Sequence, residues 1–235
     1  MRKIILPTFD PEIQPDRLAP GYKSTILRAP AQPFIPLREA MRDFSRPVYS
    51  QVNFGKYDND LTKNAMKNGD PLGERIIVHG QVRDESGYPL AGALVEMWQA
   101  NAAGRYVHKV DQHEAPLDPN FLGVGRCLTD KDGYYTFTTI KPGAYPWQNH
   151  HNAWRPNHLH FSLFGSGITS RLVTQMYFPG DPLLDYDPVF LSVPPKGRDL
   201  LIAKFDLDIT QPSFALGYRF DMVLRGYHET PFENR

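Results

Sequence analysis

From Arg75 onward, seven short runs follow one another with turn residues between them: RIIVHGQVRD, GALVEMWQA, YYTFTTI, NHLHFSLF, LVTQMYF, LIAKFDLDI and YRFDMVLRG. Each is rich in β-branched and aromatic residues and too short to bury one face of a helix, which is the pattern of strands in a half-buried sheet. Seven or eight such strands in a row predict an all-β sandwich. RDESGYPLAG and TDKDGYYTF read as hairpin turns, with Gly87 and Gly133 supplying the backbone freedom a tight turn needs. The first 74 residues differ in kind. Stretches such as LPTFDPEIQPDRLAPGYKSTILRAPAQPFIP are broken by proline, which has no amide hydrogen to donate and restricts the residue before it. The expected organisation is an extended, irregular N-terminal arm over 1–74 laid on the core or on a partner chain, and a β-sandwich over 75–235. The one helical candidate in the arm is PLREAMRDFS, with Pro36 placed for a first turn.

Charge narrows the partners. Lys plus Arg and Asp plus Glu both number 26 in 235 residues and no block of like charge occurs, so neither a nucleic-acid footprint nor a charged membrane-binding surface is expected. The single cysteine, Cys127, excludes an internal disulfide and any thiolate-rich zinc or iron–sulfur site, and accords with a reducing cytoplasm. MRKIILPTFD has too few apolar residues before Pro7 for a secretory signal, and no apolar run approaches the length of a membrane span.

The stretch RPNHLHF places His158 and His160 two residues apart in an apolar run. In a strand they share one face, while Leu159, Phe161 and Leu163 share the other. A His-x-His pair alone is commonly a surface feature or a hydrogen-bonded core pair, so a metal reading needs further ligands. Two tyrosines stand where core aromatics seldom do: Tyr106, after a glycine in NAAGRYVHK, and Tyr145, in the turn-like KPGAYPW. Either could be a loop tyrosine with one wet end. Together with the histidines they form a set with a definite chemistry, since phenolate is a hard anionic donor and imidazole suits iron. Two phenolates and a hydroxide would balance the three positive charges of a ferric ion. A ferrous oxygenase with a carboxylate ligand is a poorer match, because no Asp or Glu lies within the RPNHLHF motif.

LVEMWQANAAGRYVHK, DPNFLGVGRCLTDKDGYYTFTTIKPGAYPW and WRPNHLHFSLFG resemble the intradiol ring-cleavage dioxygenases. LAPGYKSTILRAP, TQMYFPGDPL and YRFDMVLRG extend the likeness through nearly the whole chain, toward members built from two homologous chains that act on 3,4-dihydroxybenzoate. The resemblance implies a transthyretin-like (prealbumin-like) β-sandwich holding one non-haem Fe(III) per chain. Tyr145 and His158 would be axial ligands, and Tyr106 and His160 equatorial beside a hydroxide. It further implies that Arg155 and Gln175 act beside the iron, that Tyr22, Trp147, Arg155 and Val189 line the substrate pocket, and that O2 opens a catechol ring between its hydroxylated carbons to give 3-carboxy-cis,cis-muconate. The partner implied is a homologous α chain, with αβ pairs forming a larger symmetric assembly. Catechol and hydroxyquinol enzymes of the family open with a helical segment, whereas this arm is proline-broken. Two other readings stay open at this point: a catechol or hydroxyquinol dioxygenase, and a non-enzymatic transthyretin-like binding sandwich supported by TDKDGYYTF alone.

Overall fold

The structure is a computed structural model and describes residues 10–16, 18, 53–148, 150, 153–165, 171–224 and 226–233. The expectations for Tyr22, for a helix over 36–45 and for most of the arm lie outside those residues. Among the described residues the first strand begins at Arg75.

Two sheets face one another. In the first, β1 (Arg75–Arg83) pairs antiparallel with β4 (Tyr134–Ile140) along one edge. Along its other edge β1 pairs parallel with β10 (Leu216–Arg219) and then with β11 (Met222–Val223), and β10 also pairs with β9 (Lys204–Phe205). The second sheet runs β3 (Val124–Leu128), β2 (Leu94–Trp98), β7 (His158–Phe164), β8 (Leu172–Tyr177), all antiparallel. A small ribbon, β5 (Tyr145–Trp147) with β6 (Ala153–Arg155), stands apart, and two short helices, α1 (Pro188–Ser192) and α2 (Pro195–Arg198), follow β8. The expected all-β sandwich is what the chain forms. Among the described residues no helix is long and apolar enough to cross a membrane.

The core lies between the sheets. Leu159, Phe161 and Leu163 of β7 are wholly buried there with Val95, Met97 and Met176, facing Val78, Phe137 and Phe220 of the first sheet. Phe161 is at its centre, its ring 5.8 Å from Tyr135, 6.3 Å from Phe137 and 5.6 Å from Phe220, offset and tilted as aromatic quadrupoles prefer. The strict alternation of β7 therefore sends His158 and His160 to the outer face of the second sheet. Leu61, ahead of the first strand, is also fully buried in this core, its amide bonded to the Thr138 carbonyl at 2.8 Å.

Several elements differ from the sequence reading, each for a local reason. YRFDMVLRG is two strands, because at the break between β10 and β11 the Asp221 carboxylate takes the Gln81 amide at 2.9 Å in place of a backbone carbonyl. LIAKFDLDI yields only Lys204–Phe205 as strand. Asp206 folds the next residues into a turn by accepting from the Asp208 amide and, through its carbonyl, from Thr210 Oγ1. Strand β3 carries Gly125 at a place where Leu61 and the Asp58 carbonyl leave no room for a side chain, so its sequence lacks a strand signature. Gly87 and Gly133 do adopt positive φ, of 83° and 77°. The turn at Gly133 carries the chain from one sheet to the other rather than closing a paired hairpin.

Gly80 lies in β1 against the Phe220 carbonyl, where an added Cβ would collide with backbone. Gly80→Ala should lower stability by about 1–3 kcal/mol through overpacking, read as a lower denaturation midpoint. An unchanged midpoint would mean that β1 and the β10–β11 junction are not in such close contact.

Candidate metal centre

The outer face of β7 puts His158 and His160 side by side, and three connections close over them. The loop after β2 brings Tyr106, the β5–β6 ribbon brings Tyr145 and Arg155, and the segment after β11 brings Glu233. Strand register places Trp98 opposite His160, which lies opposite Gln175, and His158 opposite Tyr177. Trp98 stacks flat on His160, with ring centroids 4.9 Å apart and planes 5° from parallel, so the imidazole has a fixed plane.

The four ring side chains converge. His158 Nε2 and His160 Nε2 are 3.2 Å apart, and Tyr106 Oη is 3.2 Å from His160 Nε2. The Tyr145 ring lies 5.4 Å from that of Tyr106, edge to face, and 5.6 Å from that of His158. The tautomers follow from the outer partners. His158 Nδ1 is 2.6 Å from the Pro156 carbonyl and His160 Nδ1 is 3.0 Å from Glu233 Oε2. A carbonyl and a carboxylate only accept, so both Nδ1 atoms donate and both Nε2 atoms present lone pairs to one another. A proton between them would satisfy that pair alone. A metal ion would satisfy both imidazoles and both phenols at once. Among the described residues no group of three or more His, Cys, Asp and Glu side chains is placed to hold a metal.

Electrostatics point the same way. Burial first, then the Arg155 charge and His160, push His158 well below the usual imidazole range, which keeps it neutral and able to act as a ligand. Burial is also the main cause that raises the Tyr106 and Tyr145 phenols. Proximity of Tyr145 raises Tyr106 further, whereas Arg155 works against the rise in both. Two buried phenols become anions only when a cation binds to them. For Glu233 burial acts upward, but His160, Gln175 and Arg155 outweigh it and bring the carboxyl down to about 2.

Arg155 is 3% exposed and part of a buried network. Its Nε lies 2.7 Å from Asp187 Oδ1, and Nη2 donates to Asp187 Oδ2 at 3.1 Å, to Gln175 Oε1 at 2.5 Å and to Tyr177 Oη at 3.2 Å. The same Asp187 carboxylate caps α1 through the Val189 and Phe190 amides, so the helix and the arginine are fixed together. The guanidinium also lies over the Trp147 ring, 5.3 Å from its centroid.

A cleft of about 590 Å³ opens over the centre, walled by Trp98, Tyr106, Tyr145, Trp147 and His160, with His108 and His113 further out. That volume suits one small aromatic ligand. Val189 is buried on α1 beside Gln175 and Tyr177 and does not line this cleft. Cys127 is a half-buried thiol pushed up to about 12 by burial, and its strand sits on the far edge of the second sheet. Sequence reasoning missed Glu233, Asp187 and Tyr177. The Asp-Pro pair at 187–188 was readable as a helix start, and Tyr177 as a strand aromatic, but their meeting at Arg155 was not. Nothing local marks Glu233, which lies 73 positions from His160.

Comparison with known sequences places these residues in context. The family model described as Dioxygenase matches residues 44–226, and one described as Protocatechuate 3,4-dioxygenase beta subunit N terminal matches residues 9–40. The chain is 63% identical over 229 residues to the protocatechuate 3,4-dioxygenase beta chain of Burkholderia cepacia, covering 97% of each. It is 33% identical to the protocatechuate 3,4-dioxygenase alpha chain of Pseudomonas putida, over 72% of this chain and 80% of that one. Among solved structures, 3-chlorocatechol 1,2-dioxygenase from Rhodococcus opacus 1CP is similar with a TM-score of 0.54 and 28% identity, over 70% of this chain and 63% of that one.

The Arg155–Asp187 pair yields a stability test. Asp187→Asn keeps one acceptor oxygen for the α1 cap but leaves the buried guanidinium uncompensated, which costs about 3–5 kcal/mol when one partner of a buried pair is removed. Denaturant unfolding should show that loss, and an unchanged midpoint would show that the pair is not sealed from water.

Proposed function

The chain belongs to the dioxygenase family of intradiol ring-cleaving enzymes, and from that premise we propose that it is the iron-bearing chain of an enzyme that cleaves 3,4-dihydroxybenzoate (protocatechuate) with O2 to 3-carboxy-cis,cis-muconate. The observation that carries the reading is the pair of lone-pair nitrogens 3.2 Å apart with two phenols beside them. That donor set fits Fe(III) better than Fe(II), because hard anionic oxygen favours the higher charge. Tyr106, Tyr145, His158 and His160 would hold the ion. What Fe(III) supplies when bound is a Lewis acid that draws electron density from a chelated catecholate and opens its ring to O2.

The rest is the work of the chain itself. The aromatic walls of the cleft orient the catechol ring and exclude water from it. Burial raises the Tyr145 phenol, so its phenolate form would be strongly basic. Its Oη is therefore a ready acceptor for a proton from an entering catechol. Arg155, held in place by Asp187 and Gln175, offers a fixed positive charge beside Tyr145 to the anionic substrate. Gln175 fixes one edge of that guanidinium, which is the role we assign to it. Trp147 is the described wall residue for the ring carboxylate, and Tyr22 is proposed from the family resemblance alone; Val189, which packs beside Gln175 and Tyr177, is not part of that wall.

We also propose a homologous α chain as partner, in αβ pairs within a larger symmetric assembly. The similarity of this chain to the alpha chain of P. putida supports a partner of the same fold. The single cysteine accords with a cytoplasmic setting. Phenolate bonded to Fe(III) absorbs visible light, so the purified protein should be red-brown.

Adding protocatechuate without oxygen should shift that absorption, and admitting oxygen should consume one O2 per substrate as carboxymuconate forms. The chain purified without its α partner should be poorly active in the same assay. An absent visible band or extradiol products would contradict the proposed function, and full activity alone would contradict the partner.

A further inference from the structure

The two histidines are held differently from behind. The Nδ1 of His158 donates to a neutral backbone carbonyl, that of Pro156, whereas Nδ1 of His160 donates to the carboxylate of Glu233. This contact is no loose surface ion pair. The side chains of His160 and Glu233 are 10% and 16% exposed, and the segment that carries Glu233 is fastened at each step. The Thr230 amide donates to the Val223 carbonyl at 2.9 Å, Thr174 Oγ1 donates to the Pro231 carbonyl at 2.6 Å, and the Glu233 amide donates to the Val173 carbonyl at 2.7 Å. Phe232 is buried in the main core. Gln14, 2% exposed and far away in sequence, clamps the segment from outside: its Nε2 donates to the Glu229 carbonyl at 2.6 Å and its Oε1 accepts from the Phe232 amide at 3.1 Å.

We propose that Glu233 is a positioning residue for His160, fixing its tautomer and ring plane and making it the stronger imidazole donor of the two, and that Gln14 locks the strap that delivers this carboxylate. The proposal rests on the ferric reading of the four-residue centre. A carboxylate behind an imidazole strengthens its donation to whatever Nε2 binds, and loss of such a partner commonly weakens metal binding 10–100-fold. The Trp98 ring stacked on one face of His160 and the Glu233 carboxylate at its rear edge leave the imidazole a single orientation. Among the described residues the partner of His158 Nδ1 is the neutral Pro156 carbonyl. The two nitrogens facing the ion are thus unequal donors, and the asymmetry is written into the strap rather than into the RPNHLHF motif.

The test uses the αβ holoenzyme in wild-type form and as Glu233→Ala, Glu233→Gln and Gln14→Ala, with assembly checked by size-exclusion chromatography. Two properties are read besides turnover: the rate of iron release into excess EDTA, and the position of the visible phenolate band. Glu233→Ala should speed release about 10–100-fold. Glu233→Gln is nearly isosteric and its amide oxygen can still accept from Nδ1, so it should assemble and release iron more slowly than the alanine variant. Its band should move to longer wavelength, because a weaker imidazole donor lowers the acceptor orbitals of the ion. Gln14→Ala leaves every group at the centre in place and should speed release by a smaller factor. If the wild-type holoenzyme shows the band and assembled Glu233→Gln matches it in both band position and release rate, Glu233 is only a structural anchor and the inference is overturned. A wild-type holoenzyme without the band overturns the ferric reading and this inference with it.

Discussion

The site is organised around one electrostatic demand. Two imidazole nitrogens face each other at 3.2 Å with their lone pairs inward, because the far nitrogen of each ring is committed to an acceptor. Such a pair repels unless positive charge stands between its members. The surroundings sharpen the demand, since burial and the Arg155 charge deny His158 a proton of its own and burial keeps both phenols neutral until a cation arrives. In the proposed reading a trivalent ion would answer all four groups together. Binding the metal would then also create the phenolate ligands, which would couple metal affinity to deprotonation.

The sandwich makes this demand possible at little cost to the core. Alternation along β7 gives Leu159, Phe161 and Leu163 to the space between the sheets and His158 and His160 to the outside. Sheet pairing fixes the spacing of the two imidazoles and sets Trp98 and Gln175 beside them. The remaining groups arrive on connections, where side chains of any direction can be presented. Rigid strands thus carry the nitrogens, while loop and ribbon carry the oxygens. Tyr145, the phenol proposed to take a proton from the substrate, sits on the three-residue strand β5 rather than in either main sheet.

Much of this was legible in the residues, and the limits of legibility have physical causes. Period-two alternation in NHLHFSLF announces both the strand and the face on which its histidines lie, because burial enforces it. The runs LIAKFDLDI and YRFDMVLRG misled, since Asp206 and Asp221 use side-chain oxygens to replace backbone partners, which composition does not reveal. Strand β3 was hidden by Gly125, whose missing side chain is a packing requirement set by Leu61 and Asp58, residues more than sixty positions away. At the site, the four ring side chains share chemistry and lie within one window of sequence, so they could be grouped by type. Toward the site Asp187 acts through Arg155, and Glu233 through His160. Their identity is ordinary and their partners are set by tertiary contact, so no local pattern distinguishes them from solvated carboxylates.

The most direct test of the central claim is anomalous diffraction at the iron absorption edge from crystals of the purified αβ protein. The account predicts one peak per copy of this chain, lying between His158 and His160, within bonding distance of both Nε2 atoms and of the Tyr106 and Tyr145 oxygens. Iron bound elsewhere, an ion held by the histidines without either phenol, or no peak in active, coloured protein would contradict it.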